Sequence, residues 1–373
     1  MKKKAFLATL AAGAMVVSLA ACSSGGSDGG EGAGDGGLVG VAMPTKSSER
    51  WINDGNAVKE QLEAEGFTVD LQYAEDDIPM QVSQIENMIT KGAEALIVAS
   101  IDGTTLTSVL QDAADADIPV IAYDRLIRDT ENVNYYASFD NFKVGQQQAW
   151  SLLNGLGLTD LEGAPLADAP AGPFNIEIFA GSPDDNNATF FFDGAMDALQ
   201  PLIDSGVLVV GSGQTDFEQV ATLRWDGEEA QSRLENILTS TYSDGTVING
   251  VLSPYDGISR GIISALEGAG YSVGDAWPAI SGQDAELDSV KAIVAGEQYA
   301  TIFKDTRQLA SVAVDMTIAL LNDEEPEVNN TTDYDNGVKV VDSYLLDSAI
   351  VVNENITEQL VDSGYWTQAE IDG

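Results

Sequence analysis

Short apolar runs alternate with amphipathic stretches along this chain from residue 38 onward. LVGVAM (38–43), TVDLQY (68–73) and ALIVAS (95–100) read as strands, and the segments between them carry apolar residues at helical spacing. Val82, Ile85, Met88 and Ile89 share one helical face, as do Leu287, Val290, Ile293 and Val294 further on. The stretch IPVIAYDRLI (118–127) is the most sharply drawn, an apolar run at 119–123 ending abruptly in Asp124 and Arg125. Apolar runs with polar ends read as strands buried on both faces of a parallel sheet. Ligands of open α/β sheets bind at the carboxyl ends of such strands. An acceptor next to a bidentate donor at that edge suits a polyhydroxylated, uncharged ligand. The other reading is a surface ion pair at a strand end.

Taken in order, the pattern predicts helices at 49–65, 79–91 and 104–116, then the strand at 118–127. A strand VNYYASF (133–139) and a helix at 143–154 complete the first block. Residues 155–173 are rich in glycine, proline and alanine and read as a loop. The alternation then restarts with FNIEIFA (174–180), a helix at 188–203, VLVVGS (207–212) and a helix at 228–238. VINGVLS (247–253), a helix at 258–267, PAISG (278–282), a helix at 287–295, YATIF (299–303) and a helix at 307–321 follow. A polar loop at 322–337, a strand VKVVDSYLL and a short acidic tail close the chain. Repeated βα units of this length predict an α/β protein with parallel sheets and right-handed crossovers. Two such halves in succession are expected to form a cleft.

The N-terminus follows different rules. Lys2, Lys3 and Lys4 precede an apolar stretch too short to span and stop in a membrane, the form of a secretory signal. Its end, Leu19-Ala20-Ala21-Cys22, resembles a bacterial lipobox, which implies lipidation of Cys22. Cys22 is the only cysteine, so an intrachain disulfide is excluded. Residues 23–37 hold eight glycines and should act as a flexible tether with a span of about 20 Å. The expected location is therefore extracytoplasmic, on a lipid anchor.

Charge and composition narrow the chemistry. Sixty acidic residues against 17 basic ones give a formal charge of −43, a field that repels nucleic acid and anionic headgroups. The absence of histidine removes Ser-His-Asp and Cys-His nucleophiles, the common zinc sites and imidazole acid–base catalysis. Paired carboxylates at Asp76-Asp77 and Asp184-Asp185 could suggest a glycosidase, but neighbouring loop carboxylates more often cap helices. No cofactor or metal is implied, and the chain is expected to be a non-enzymatic monomer.

Eight motifs in sequence carry a family resemblance: MPTKSSERW, QIENMITKGAEALIVASIDG, IAYDRLI, SFDNFKVG, GSPDDNN, SPYDG, SGQDAEL and IFKDTRQLA. Together they resemble the periplasmic-type sugar-binding proteins of ABC importers, closest to the xylose-binding and ChvE-like multiple-monosaccharide branch. The resemblance implies a type I periplasmic binding protein: two doubly wound parallel-sheet domains joined by a three-strand hinge and closing around one pyranose. It implies a first domain of 38–140 plus 305–338 and a second of 141–304 plus 339–373. Arg50 and Trp51 match the family's Arg-Trp, and Asp124 and Arg125 its central Asp-Arg pair. Asn141, Asn187, Asp284 and Lys304 match polar ligand positions. Where xylose-type proteins read Ser-Asn-Asp, this chain has Pro254-Tyr255-Asp256, so Tyr255 or Asp256 is expected to replace the missing asparagine.

A sugar presents hydroxyls that both donate and accept, over an apolar face of ring carbons. Asp124 and Asp284 would accept, Arg50, Arg125 and Lys304 would donate, and Asn141 and Asn187 can do both. Trp51, then Trp225, are the candidates to lie against the sugar's C–H face, each with core packing as its alternative. The implied partners are a monosaccharide of the xylose, glucose, arabinose or galactose type and ABC permease subunits. The alternative is a sugar-sensing partner for a membrane signalling protein.

Overall fold

The computed structural model describes residues 36–274 and 276–373. The signal segment, Cys22 and all but the last two residues of the tether lie outside the described residues. The first half runs β1 (Leu38–Met43), α1 (Glu49–Ala64), β2 (Thr68–Tyr73), α2 (Ile78–Thr90), β3 (Ala93–Val98), α3 (Thr107–Asp115), β4 (Val120–Tyr123) and β5 (Tyr135–Phe139). The chain then continues through α4 (Asn141–Gly155), β6 (Phe174–Ile178), α5 (Asn186–Asp204), β7 (Leu208–Val210), α6 (Phe217–Val220), α7 (Gly227–Thr241), β8 (Gly250–Leu252) and α8 (Asp256–Gly268). It ends with β9 (Ala279–Ile280), α9 (Leu287–Ala295), β10 (Ala300–Phe303), α10 (Thr306–Leu321), β11 (Ser343–Leu346), β12 (Ala349–Val352) and α11 (Gln368–Asp372).

Two parallel sheets result, six strands in the order β11-β5-β4-β3-β1-β2 and four in the order β7-β6-β8-β9. Strand alternation explains why both faces are apolar. Val39, Val41, Ile97, Ile121 and Tyr123 point into one core with α1 and α10 (Val58, Leu62, Leu309, Ala313). Ala42, Leu96, Val98, Val120 and Ala122 enter a second core with α2 and α3 (Ile85, Met88, Val109, Leu110). The four-stranded sheet repeats the scheme, with Ile176 and Ile178 packed on Leu152 and Leu199 and with Val251 and Ile280 packed on Leu234 and Ile262. Helices α4 and α5 meet at glycine: a Cβ at Gly145 or Gly194 would overlap the carbonyl oxygen of Phe191 or Phe142. Part of the acidic surplus serves as helix caps, with Asp77, Asp140, Asp185, Asp226 and Asp305 accepting backbone N–H groups at the starts of α2, α4, α5, α7 and α10. Such a cap contributes about 1 kcal/mol.

The chain's last segment departs from the sequence reading in two places. Of VKVVDSYLL only Ser343–Leu346 forms a strand, and it pairs parallel with β5 at the edge of the first sheet. Residues 339–346, expected with the second half, therefore extend the first. The physical reason is an unpaired edge at β5, which accepts one further strand before the chain leaves. The supposed acidic tail contains β12, which pairs antiparallel with β10 from Ala300↔Val352 to Phe303↔Ala349. The chain thus passes between the two sheets' surroundings three times: from β5 into α4, from β10 into α10, and from β11 into β12.

Candidate functional site

Both sheets aim the carboxyl ends of their strands at one cleft of about 590 Å³. Arg50 and Trp51 open α1 just after β1, Asp124 and Arg125 follow β4, and Asn187 opens α5 after β6. Tyr255 precedes α8 after β8, Asp284 follows β9, and Lys304 follows β10. All eight line the cleft. Eight side chains from six places distant in sequence converge because each sits at the same end of its βα unit.

At the centre is a buried ionic cluster. Arg50 Nη2 donates to Asp54 Oδ2 at 2.8 Å and to Asp124 Oδ2 at 3.0 Å, and its Nη1 reaches Asp284 Oδ1 at 3.4 Å. Lys304 Nζ lies 3.0 Å from Asp284 Oδ1 and 4.0 Å from Asp124 Oδ2. Arg125 Nε stands 3.0 Å from Asp185 Oδ2, near enough for an ion pair though not aligned as a hydrogen bond. Three cations thus face four carboxylates, and taking one partner from a buried pair costs about 3–5 kcal/mol. Burial works to raise the Asp124 carboxyl, but Arg50, Lys304 and Arg125 outweigh it and hold it below its ordinary value. Burial likewise opposes the Arg50 charge, and Asp124, Asp54 and Asp284 overcome it, raising that group well above its usual range. Asp54 differs: burial prevails over Arg50 and pushes it up to about 6.

Two of the acceptors adopt unusual backbone. Asp124 has φ of 59° and Asp284 φ of 93°. The left-handed turn at Asp124 presents its carbonyl oxygen to three donors: Tyr136 Oη at 2.6 Å, Asn187 Nδ2 at 2.8 Å and Ser138 Oγ at 2.9 Å. Backbone held in sparsely populated regions by its surroundings clusters at binding sites.

Asn141 and Asp256 are the two predicted site residues that do not line the cleft. Asn141 donates to Asn187 Oδ1 at 3.0 Å, and that bond leaves the Asn187 amide nitrogen for Asp124. Asp256 is fully buried beneath, accepting from Gln298 at 2.9 Å, from the Glu286 N–H at 2.9 Å and from Thr301 at 3.1 Å. Tyr255 lines the cleft but spends its hydroxyl on Glu286, 2.8 Å away. The Trp51 ring carries two guanidinium groups, Arg50 at 4.5 Å and Arg125 at 5.1 Å from its centroid. Trp225 is the second cleft indole, set edge-on between Phe191 and Tyr255 with both centroids at 6.2 Å. Gly181 makes room for it, since a Cβ there would overlap the ring.

Asp54 and Asp185 join the site without having been expected among its ligands, since the sequence offers Asp185 as a helix cap or as half of a carboxylate pair. A signal for Asp54 exists: it lies one helical turn after Arg50, at the spacing where an aspartate meets an arginine. Asp185 both caps α5 and meets Arg125.

The fold and the cleft define a solute-receptor class, and the chain belongs to it: residues 39–325 match the periplasmic binding protein domain. Among curated relatives it is 58% identical over 335 residues to the multiple sugar-binding periplasmic receptor ChvE of Rhizobium radiobacter, covering 90% of this chain and 92% of that one. It is 35% identical to the D-xylose-binding periplasmic protein of Escherichia coli K12 across 89% of this chain and 92% of that protein. Among solved structures, an ABC transporter solute-binding protein from Clostridium phytofermentans with bound β-D-glucose shares 47% identity and a TM-score of 0.84, covering 90% of this chain and 99% of that one. The ChvE-like and xylose-type resemblance read from the eight motifs agrees with these relatives. The fold is that of type I periplasmic binding proteins. Among the described residues no helix is long and apolar enough to cross a membrane.

Proposed function

We propose that the chain is an extracytoplasmic receptor that captures a monosaccharide in this cleft and hands it to an ABC permease. The observation that carries the reading is the convergence of Arg50, Asp124, Arg125, Asn187 and Asp284 at strand ends of both parallel sheets and of Lys304 at the end of β10, with Trp51 and Trp225 alongside. Charge-assisted hydrogen bonds contribute about 1.5–3 kcal/mol each. Micromolar binding needs about 8 kcal/mol in all, so a few such bonds suffice after the cost of closure. The names of the relatives, sugar receptors and a glucose-bound receptor, support the same ligand class. Two domains closing about the three crossings would bring the two sides of the cleft together on the ligand.

Titration calorimetry of the full chain against D-glucose, D-galactose, D-xylose and L-arabinose is expected to give micromolar or tighter binding of at least one sugar. No heat with any of the four overturns the reading. A second reading, a sensor that docks a membrane signalling protein, draws on the word receptor in the name of the Rhizobium relative. Anchoring through lipid on Cys22 rests on the sequence around that residue. A Cys22→Ser chain is expected in the soluble rather than the membrane fraction, and an unchanged membrane share would discard the anchor.

A further inference from the structure

Three helix starts meet at one buried carboxylate on the flank of the cleft. Glu286 is 3% exposed and immediately precedes α9. Its Oε1 accepts from Ser48 Oγ at 2.7 Å and from Tyr255 Oη at 2.8 Å, and its Oε2 accepts from Arg260 Nη2 at 2.6 Å. Ser48 precedes α1 and belongs to the first half, whereas Tyr255, Arg260 and Glu286 belong to the second.

The capping pattern makes this contact unusual. Serine is among the preferred residues at a helix N-cap because its oxygen takes a backbone N–H of the first turn. Ser48 has the extended backbone of a cap, φ −99° and ψ 131°, yet its side chain makes no bond to its own helix. Glu286 holds the N-cap position of α9 and likewise leaves its own helix uncapped. Partial burial raises the Glu49 carboxyl, and the Leu287 N–H at the start of α9 opposes that rise. Ser48 and Glu286, which hold the cap positions of α1 and α9, thus bond to each other across the cleft and not to their own helices.

We infer that Ser48 and Glu286 are positioning residues forming a latch across the cleft that sets the lifetime of the sugar-bound, closed state. This inference rests on the sugar-receptor reading above. When the two sides separate, the Ser48 hydroxyl loses Glu286 and can return to cap α1, so each side keeps a partner in either state. The latch bond exists only in the closed form, which makes its free energy a differential one that shifts the population toward closure. Glu286 does not line the cleft, so it acts on closure and not on the ligand. The same carboxylate fixes the Tyr255 ring that stands edge-on to Trp225. In this way Pro254-Tyr255-Asp256 replaces a ligand asparagine with part of the closing device.

The test uses the full chain and the tightest-binding sugar of the four named above, with release rates from stopped-flow tryptophan fluorescence. Ser48→Ala and Glu286→Gln are each expected to raise Kd about tenfold, through faster release at an unchanged association rate. The double variant is expected to be no weaker than the weaker single variant within about twofold, since both substitutions act on the same Ser48–Glu286 contact. Glu286→Gln keeps the side chain's shape and one acceptor, and Ser48→Ala removes no bond from α1, so both variants should fold. A merely structural role would lower the melting temperature of the free protein and leave Kd alone. Wild-type Kd in both single variants, or effects that multiply in the double, overturns the latch while leaving the receptor reading intact. Absence of binding by the unaltered chain overturns both.

Discussion

Asp124→Asn is expected to weaken sugar binding at least a hundredfold while the chain stays folded. Asp124 lies within reach of both Arg50 and Lys304, at 3.0 Å and 4.0 Å, and feels the charge of Arg125 as well. Its charge therefore orients donors that would meet the ligand, besides accepting hydroxyls itself. Neutralising it leaves Arg50 with Asp54 and Asp284, and the guanidinium is expected to shift toward them. Asparagine is the informative substitution because position 124 sits at φ 59°, a region asparagine tolerates. Its backbone carbonyl would keep the bonds from Tyr136, Ser138 and Asn187. Asp124→Ala should bind no better and should also lose stability, because alanine is strained in that backbone. Calorimetry together with thermal unfolding separates the two effects. Affinity within about tenfold of the wild type in Asp124→Asn would show that the strand-end pair is structural.

How much of this is legible in the sequence depends on whether a feature is local. Helix α9 has the bounds its pattern predicts, because Leu287, Val290 and Ile293 repeat at helical spacing and Gly296 ends it in the left-handed region. Strand β4 and its charged end are equally plain, since a doubly buried strand must be apolar and a carboxylate stops it. Strand β12 passes for part of a tail although AIVV is an apolar run, because only its antiparallel partner β10 distinguishes the two. In the cleft, the residues matched through the family resemblance come to one place with two exceptions. Asn141 and Asp256 lie behind the lining, each holding a group that does face it or that borders it. Residue type alone does not separate those layers: an asparagine that touches ligand and one that orients another asparagine carry the same letter. Glu286 has no signal at all, since its role comes from three helix ends meeting in space.

The second large effect concerns Asp256 and runs with pH. This carboxyl is fully buried, and the charge nearest to it in effect is the like charge of Glu286, while Arg260 is engaged with Glu286. Burial first, then Glu286, pushes its pKa up to about 8. In the unfolded chain the same group loses its proton near pH ~4. Between those values the folded state binds more protons than the unfolded one, so its stability falls as pH rises through the window and levels off above about 8. The contribution is fully present below about pH 4. Because the chain carries sixty acidic residues, the informative quantity is a difference between two proteins measured in parallel. Urea unfolding of the wild type and of Asp256→Asn at about pH 5, 6.5 and 8 is expected to show the variant gaining on the wild type at each step, by on the order of a few kcal/mol across the range. The carboxamide oxygen introduced by Asp256→Asn can still accept from the Glu286 N–H and from Thr301. Its nitrogen can meet the Gln298 side chain once that group turns its oxygen inward. Gln298 Oε1 has no hydrogen-bond partner among the described residues, and the turn exchanges the bond its nitrogen makes to the Ala300 carbonyl for one from the new carboxamide. Curves that stay parallel across the three pH values would show that Asp256 is ionised in the folded protein, and that its three donors suffice to hold the charge.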